Sequence, residues 1–317
     1  MGNQRNSEAS TFRYNRCCPV IDTPEQDAQR LLSMLASLRR VAVAFSGGVD
    51  SSVVAAAAHR ADLEFSIAVT ADSPSVARWQ IQLARKIASE IGIEHQIMPT
   101  REGDLQEYRR NDGRRCFFCK QTLYASLGDY TKSYPNVTIV SGTNLDDLGD
   151  YRPGIDAGKQ FGVVTPLADL GLSKSRVRAL ASHFGLSNES LPASPCLASR
   201  VAYGTEVTPL RLRRIEQAED WLRQRGFTEL RVRLHAGELA RIEVPKERIP
   251  LLIELDDDGS LTREFQSYGF KFVTIDMQGF RSGSMNRALV SLDANPISHT
   301  SQTSGAKQAT STKEVAS

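Results

Sequence analysis

An uncharged apolar run at positions 41–45 leads directly into the segment SGGVDSS at 46–52, and an alanine-rich stretch follows up to residue 60. A short run that is apolar throughout is typical of a strand buried on both faces of a parallel sheet. The alanines favour a helix, which we expect over 50–60. The segment 46–52 therefore lies at the carboxyl end of a predicted strand, the edge where α/β sheets bind their ligands.

Strands and helices alternate along the first two thirds of the chain. Further strands are predicted at 65–71, 94–98 and 137–141, and helices at 76–91, 117–127 and 173–184. An earlier helix is predicted to begin after Thr23, because Thr23 and Gln26 can form a capping box and Pro24 suits the first helical position. This alternation predicts an α/β fold built on a doubly wound parallel sheet.

A smaller α+β module is predicted after residue 200. The boundary is placed there because 188–199 is irregular and rich in serine and proline. The predicted elements of the module are a helix at 209–225, strands at 229–235 and 239–244, helices at 246–255 and 261–268, and a strand at 271–276. After about residue 293 few apolar residues remain, which predicts a disordered tail.

The composition excludes several classes of protein. With 39 basic and 37 acidic residues the net charge is +2, which gives no support for nucleic-acid binding. No stretch reaches the roughly 18 apolar residues of a membrane span, and the first residues contain no apolar signal-peptide core. We therefore expect a cytoplasmic protein without a membrane partner. Five cysteines, an odd number, argue against a disulfide framework and favour a metal, a cluster or reactive thiols.

The segment 46–52 has the composition of an anion-binding loop. Two glycines allow backbone N–H groups to approach a phosphate, and the following helix adds its positive N-terminal end. A carboxylate in such a loop is best explained by a bridging Mg²⁺. The candidate ATP ligands here are Ser46, Gly47, Gly48, Asp50, Ser51 and Ser52, with Asp50 as the Mg²⁺ ligand. The loop lacks the Walker and dinucleotide-binding signatures, and a simple helix-capping turn is the alternative.

Three cysteines lie in two segments. Cys116 and Cys119 form a C-x-x-C motif, and Cys196 lies far along the chain, whereas Cys17 and Cys18 fall in the polar leader. A zinc site would require a fourth ligand, for which His183 is the candidate. Three thiolates also suit a [4Fe–4S] cluster with one iron that has no protein ligand. A redox or buried pair plus one unrelated cysteine is the remaining alternative.

The loop 46–52 resembles the pyrophosphate loop of the N-type ATP pyrophosphatases. This resemblance implies cleavage of ATP between the α and β phosphates, with Mg²⁺, and adenylylation of a substrate oxygen. Lys174 resembles the phosphate-binding lysine of that superfamily. Thr70 lies at the end of the second predicted strand, where the superfamily binds adenosine mainly through backbone.

Four segments together resemble the LarE family, the sulfur transferases that make the nickel-pincer nucleotide cofactor. They are SGGVDSS at 46–52, RCFFCK at 115–120, TNLDDLGDYRPG at 143–154 and SPCLASR at 194–200, with weaker matches at 231–233 and 279–283. The resemblance covers about residues 25–290. It implies that ATP adenylylates a carboxylate of pyridinium-3,5-biscarboxylate mononucleotide and that sulfur then displaces AMP.

The resemblance also implies two possible roles for Cys196. Family members without the C-x-x-C motif sacrifice the matching cysteine and end with dehydroalanine. Members with all three cysteines resemble cluster enzymes that can turn over. Since this chain contains Cys116, Cys119 and Cys196, we expect a [4Fe–4S] cluster supplied by sulfide or another sulfur donor, with single-turnover sacrifice as the alternative.

The anionic substrate is expected to meet basic side chains. Arg231 and Arg233 are two apart on a predicted strand and so share a face. The further candidates are Lys120, Arg200 and Arg281, with Glu219 and Glu243 as ligands of a second metal or as groups that orient the arginines. Asp147 and Asp150 follow the fourth strand and are candidates for positioning Mg²⁺ or ribose, or simply for a surface turn.

The predicted organisation has four parts. These are a flexible leader at 1–22, an ATP pyrophosphatase domain at 23–200, a substrate or oligomerisation domain at 201–292 and a tail at 293–317. A homo-oligomer is expected. Three other functions are alternatives. A tRNA thiolation enzyme would need a basic RNA-binding domain, which is missing, and a relative of the ATP-dependent amidotransferases would need a glutaminase half, which is not visible in the sequence. A regulatory nucleotide-binding module would leave the cysteines unexplained.

Overall fold

The computed structural model describes residues 23–149, 153–192 and 194–281. The predicted leader at 1–22 and the tail at 293–317 lie outside these ranges, as do Cys17, Cys18 and Asp150. Within the described ranges, no helix combines the length and the apolar character that crossing a membrane requires.

Four parallel strands form the larger sheet. They are β1 (Arg40–Ala44), β2 (Phe65–Asp72), β3 (His95–Pro99) and β4 (Thr138–Ser141), in the order β3-β2-β1-β4. The strand β1 is central, pairing with β2 on one side and β4 on the other. Its Val41, Ala42 and Val43 are fully buried, as expected of a strand that is covered on both faces. The predicted parallel α/β sheet is confirmed.

Helices cover both faces of this sheet. The α-helices are α1 (Pro24–Leu38), α2 (Val49–Arg60), α3 (Arg78–Ile91), α4 (Gln106–Arg109), α5 (Arg115–Thr131), α6 (Pro153–Gln160), α7 (Pro166–Asp169), α8 (Lys174–His183), α9 (Pro209–Gln224), α10 (Ile249–Glu254) and α11 (Ser260–Tyr268). One core cluster joins Val41 and Val43 to α1, α2 and α8, and another joins Ala42 to α5. Successive β1 side chains thus enter different cores.

The ends of the helices follow the sequence closely. At α1 the predicted capping box is present: Thr23 Oγ1 accepts from the Gln26 N–H at 3.4 Å, and Gln26 Oε1 accepts from the Thr23 N–H at 2.9 Å. The short helices α4, α6 and α7 were not predicted, because segments of four to eight residues carry little periodicity.

The smaller sheet contains β5 (Arg231–His235), β6 (Leu239–Glu243) and β7 (Phe272–Ile275). β5 and β6 are antiparallel and are joined by a turn in which Gly237 and Glu238 both have positive φ, whereas β6 and β7 are parallel. The helix α9 packs on this sheet in a core cluster of its own. The chain up to Phe280 forms one compact unit, and a second unit begins at Arg281. The predicted domain boundary near residue 200 does not coincide with this division, and it stays a prediction.

Candidate functional site

The loop between β1 and α2 is tightly enclosed by backbone. Gly47 has φ +72°, and a Cβ there would lie 2.8 Å from the Ala84 Cα. From the β4 side, a Cβ on Gly142 would lie 2.6 Å from the Ser51 amide nitrogen. Since real Cβ atoms do not approach backbone this closely, both glycines are required for the loop to take this shape.

The serines of the loop differ in their availability to a ligand. Ser46 and Gly48 are exposed, whereas Ser51 and Ser52 are buried. The Ser51 and Ser52 hydroxyls donate to the Gly48 carbonyl at 3.0 and 2.9 Å. Ser46 and Gly48 are therefore the positions that a ligand can reach, while the two buried hydroxyls stabilise the turn itself.

The predicted ATP residues Asp50 and Lys174 lie together. The Lys174 ammonium group donates to Asp50 Oδ2, and Asn144 Nδ2 donates to Asp50 Oδ1 at 3.1 Å. The backbone N–H of Lys174 donates to Asp146 Oδ2 at 2.9 Å, at the first turn of α8. The structure thus brings a carboxylate and a cation to the phosphate loop from elements far apart in sequence.

Two buried asparagines that the sequence analysis did not identify support this loop. Asn188 Nδ2 donates to the Gly47 carbonyl at 2.8 Å and to Ser52 Oγ at 2.9 Å. Asn144 follows β4, and its Oδ1 accepts from the N–H groups of Asp146 and Asp147. Asp147 is thereby held in a turn beside Asn144. In return, Asp147 Oδ2 accepts a hydrogen bond from the Asn144 backbone N–H at 3.1 Å.

Thr70 is buried at the carboxyl half of β2. Its hydroxyl forms a 2.8 Å hydrogen bond with Nε2 of His95, whose ring packs edge-on against Phe45 at 5.6 Å. Burial, and then the charge of Arg85, lower the pKa of His95. The Thr70 side chain is therefore engaged within the sheet.

The three cysteines are brought to one region of the molecule. Cys116 is exposed in the first turn of α5, Cys119 is half-buried one turn further, and Cys196 precedes the short helix Leu197–Arg200. Burial, then the charges of Glu102 and Cys196, strongly raise the pKa of Cys119. Desolvation lowers the pKa of Lys120, but Tyr124 and all three thiols raise it, and the net change is upward. Lys120 is thus a shared electrostatic neighbour of the cysteines.

The described cysteines are not arranged as the ligands of a metal ion. In the described part of the chain, no three His, Cys, Asp or Glu side chains are arranged to hold a metal ion. The zinc candidate His183 instead approaches Glu25, with Nδ1 3.5 Å from its carboxylate.

Arg115 connects the two cysteine segments and was not predicted to do so. Its Nη1 donates to Asn111 Oδ1 at 2.5 Å and to the Ala198 carbonyl at 2.8 Å, and its Nη2 lies 3.9 Å from Cys116 Sγ. Asn111, in a left-handed conformation at φ +57°, donates to the Ala202 carbonyl at 2.8 Å. These bonds fasten the start of α5 to the segment that follows Cys196.

The candidate substrate arginines Arg200 and Arg233 are bound by carboxylates. Arg200 Nε donates to Glu219 Oε1 at 3.0 Å, and Arg233 Nε donates to Glu243 Oε2 at 3.0 Å. Both glutamates are fully buried. Each glutamate has a second arginine partner, which is Arg223 for Glu219 and Arg241 for Glu243.

Arg231 differs from the other arginines of this group. Its guanidinium stacks on Phe280 at 4.7 Å, and it forms no ion pair with any described residue. Burial, followed by the charges of Arg233 and Arg200, lowers its pKa to about 10. An anionic ligand would relieve this repulsion. The predicted substrate residue Arg281 belongs to a separate unit that begins at that residue.

Comparison with known proteins identifies relatives over most of the chain. A family model described as asparagine synthase matches residues 32–111. A pyridinium-3,5-bisthiocarboxylic acid mononucleotide synthase of Lactiplantibacillus plantarum is 35% identical over 260 residues, which are 82% of this chain and 93% of that protein. An uncharacterized protein of Synechocystis sp. is 40% identical over 265 residues, covering 84% and 98% of the two chains.

These matches agree with the geometry of the site. The asparagine synthase match includes β1, the phosphate loop and β2, and so supports the use of ATP. The match to the synthase extends well beyond this part, over 82% of the chain. The protein is thus an ATP-dependent enzyme that belongs to the LarE family, the family of the pyridinium-3,5-bisthiocarboxylic acid mononucleotide synthase.

Proposed function

We propose that this enzyme adenylylates the carboxylates of pyridinium-3,5-biscarboxylate mononucleotide and replaces the AMP by sulfur, which gives thiocarboxylates. The observation that carries the proposal is the presence, in one chain, of the Asp50–Lys174 phosphate loop and of three neighbouring cysteines. The relative from Lactiplantibacillus plantarum is named for the bisthiocarboxylic acid product.

Activation by ATP answers a chemical need of this reaction. A carboxylate is a poor electrophile, and its adenylate contains AMP as a leaving group. The exposed Ser46 and Gly48 can meet the phosphates, and Lys174 supplies positive charge beside them. The oxygen ligands that Asp50 offers suit Mg²⁺, which would neutralise charge on the departing pyrophosphate.

The arginines of β5 are proposed to bind the anionic groups of the nucleotide substrate. Arg231 is the strongest candidate, because it forms no ion pair with a described carboxylate, and burial and the charges of Arg233 and Arg200 lower its pKa. Arg233 is held by Glu243 and donates to the Ser199 carbonyl at 2.9 Å, and so connects β5 to the segment of Cys196. Lys120, Arg200 and Arg281 remain candidates for the same task, with Glu219 and Glu243 orienting the arginines.

Replacing Arg231 by alanine is expected to raise the Kd of the nucleotide substrate about tenfold or more, because one hydrogen-bonded charge contact is lost. The Kd of ATP should change little. Calorimetric titration of each ligand measures the two effects, with Arg213→Ala, an exposed arginine of α9, as the control. A loss of ATP affinity with unchanged substrate affinity would refute the assignment of β5. Arg233→Ala is a weaker test, since it breaks a buried ion pair.

A [4Fe–4S] cluster is proposed for Cys116, Cys119 and Cys196. Cys119 and Cys196 pack against the same core cluster, and Arg115 joins Cys116 to the chain that follows Cys196. Three thiols on joined segments are a donor set that suits iron–sulfur chemistry better than a closed zinc site. Such a cluster would hold the sulfur that is transferred. Anaerobic purification followed by iron, zinc and acid-labile sulfide analysis tests this: iron and sulfide with a brown chromophore support it, and zinc alone or no metal refutes it.

The proposed reaction is tested by incubating the enzyme with Mg²⁺-ATP, pyridinium-3,5-biscarboxylate mononucleotide and sulfide. Pyrophosphate, AMP and a thiocarboxylate product are expected, the last identified by mass spectrometry. Pyrophosphate release that does not depend on the substrate, or AMP formation without any sulfur product, would contradict the proposal. Sulfide as the sulfur source is part of the same proposal.

A homo-oligomeric state is also proposed. Light scattering during size-exclusion chromatography measures the molar mass and tests it.

A further inference from the structure

The helix α3 presents one face to both the phosphate loop and the segment of Cys196. Ala84 of α3 is fully buried, and it lies so close to Gly47 that a Cβ on Gly47 would come within 2.8 Å of the Ala84 Cα. Gln80 lies one turn earlier on the same face, since residues four apart on a helix are neighbours. Its Nε2 donates to the Ser194 carbonyl at 2.9 Å. The two attachments are therefore about 6 Å apart along the helix axis.

The backbone is fastened on both sides of Cys196. Ser194, two residues before it, accepts the hydrogen bond from Gln80, and the N–H of Leu197, directly after it, donates to the Ser75 carbonyl at 2.8 Å. Ser75 lies in the turn that leads from β2 into α3. The position of Cys196 is thus set from the start of α3, the same helix that supports the phosphate loop.

The first turn of α3 also contacts the smaller α+β module. The Arg78 N–H donates to Glu216 Oε1 at 2.5 Å, and the Arg223 guanidinium lies 5.4 Å from the centre of the Trp79 ring. Glu216 and Arg223 both belong to α9, the helix that packs on the sheet of the candidate substrate arginines. One helix therefore supports the phosphate loop, the cysteine segment and the module that is proposed to bind the substrate.

The Gln80 side chain has two tasks that can be separated. Its Oε1 accepts from the Ala77 N–H at 3.2 Å and so caps the helix, whereas its Nε2 donates to the cysteine segment. A glutamate of the same shape can keep the first bond, because a carboxylate accepts, but it has no hydrogen to donate to the Ser194 carbonyl. A negative charge in the first turn also suits the N-terminal end of a helix. Gln80→Glu therefore releases the cysteine segment and leaves the cap of α3 in place.

We propose that Gln80 is a positioning residue, which holds the Cys196 segment at the distance from the phosphate loop that sulfur transfer requires. This inference rests on the proposed sulfur transfer. In that step the sulfur's electron pair forms a bond to the carboxyl carbon of the adenylate, and AMP leaves with the electrons of the carbon–oxygen bond. When the sulfur is displaced, water attacks the same carbon, and the products are the original carboxylate, AMP and a proton. Both sulfur sources require this positioning, because Cys196 takes part in each.

Gln80→Glu is expected to lower the amount of thiocarboxylate formed per pyrophosphate released by about threefold to tenfold, the effect of one lost hydrogen bond. Pyrophosphate release itself should stay near the wild-type rate. The ratio is the measurement, because a general loss of active enzyme lowers both amounts and leaves their ratio unchanged. Gln82→Glu is the matched control: it makes the same change of charge at an exposed position of the same helix and should leave the ratio unchanged. Gln80→Met, which adds no charge, should lower the ratio as Gln80→Glu does.

Hydrogen–deuterium exchange measured by mass spectrometry tests the attachment without an activity assay. In Gln80→Glu, peptides that contain 194–200 should exchange faster than in the wild type, whereas peptides that contain the phosphate loop at 46–52 should exchange equally. An unchanged ratio in the folded variant overturns the inference even if exchange rises, because the bond then has only a structural role. A lower ratio without faster exchange, or an equal fall in Gln82→Glu, also overturns it. If the wild-type enzyme releases pyrophosphate but makes no thiocarboxylate, the proposed function itself fails.

Discussion

Asp50→Asn is expected to lower pyrophosphate release by about a hundredfold or more without unfolding the protein. Asparagine has nearly the shape of aspartate but lacks the charge that binds Mg²⁺ and pairs with Lys174. The Asn144 amide can still donate to the remaining oxygen, so the first turn of α2 should keep its position. The measurement is pyrophosphate release with saturating substrate, together with a thermal unfolding curve.

The control for this prediction is Asp62→Asn, an exposed aspartate just beyond the other end of α2. It should leave both activity and stability unchanged. If Asp50→Asn retains activity within a few-fold of the wild type, the carboxylate has no essential role at the metal. If the variant unfolds at a much lower temperature, the loss of activity reflects a role of Asp50 in stabilising the loop. Lys174→Met then tests independently whether charge at this site is needed for pyrophosphate release.

The parallel sheet could be predicted because its signals are local. The run at 41–45 contains no charge, and burial on both faces of β1 follows from that fact alone. The position of the phosphate loop then followed from the rule that ligands bind at the carboxyl edge of such a sheet. The short helices α4, α6 and α7 could not be predicted, since tertiary contacts rather than periodicity stabilise segments of this length.

The support of the site could not be predicted, because it depends on contacts between distant residues. Asn188 binds Gly47 across 141 positions, and Asn111 binds Ala202 across 91. An asparagine in an irregular segment does not reveal in sequence which loop it will reach. The need for glycine at position 142 likewise appears only when β4 is placed against α2. The sequence alone predicts which residue types can bind phosphate, metal or sulfur. The hydrogen-bond partners of each residue become known only once the fold brings distant segments together.

Cys196→Ala is expected to abolish thiocarboxylate formation while ATP-dependent pyrophosphate release continues. The reason is that Cys196 lies on the segment 194–200, whereas adenylylation depends on the loop between β1 and α2. Comparing the product after one turnover with the pyrophosphate released measures both steps. Equal loss of the two activities would instead place Cys196 in the support of the ATP site.

The same measurement on Cys116→Ala and Cys119→Ala separates the two possible sulfur sources. If Cys196 donates its own sulfur, these variants should still make one equivalent of product, and Cys196 in the wild type should lose the mass of hydrogen sulfide and become dehydroalanine. If the three cysteines hold a cluster, each variant should lose both the chromophore and sulfur transfer, and Cys196 should keep its mass through several turnovers with sulfide. The contacts favour the second result, because Arg115 fastens the α5 cysteines to the chain that follows Cys196, an arrangement that a lone sacrificial cysteine does not need.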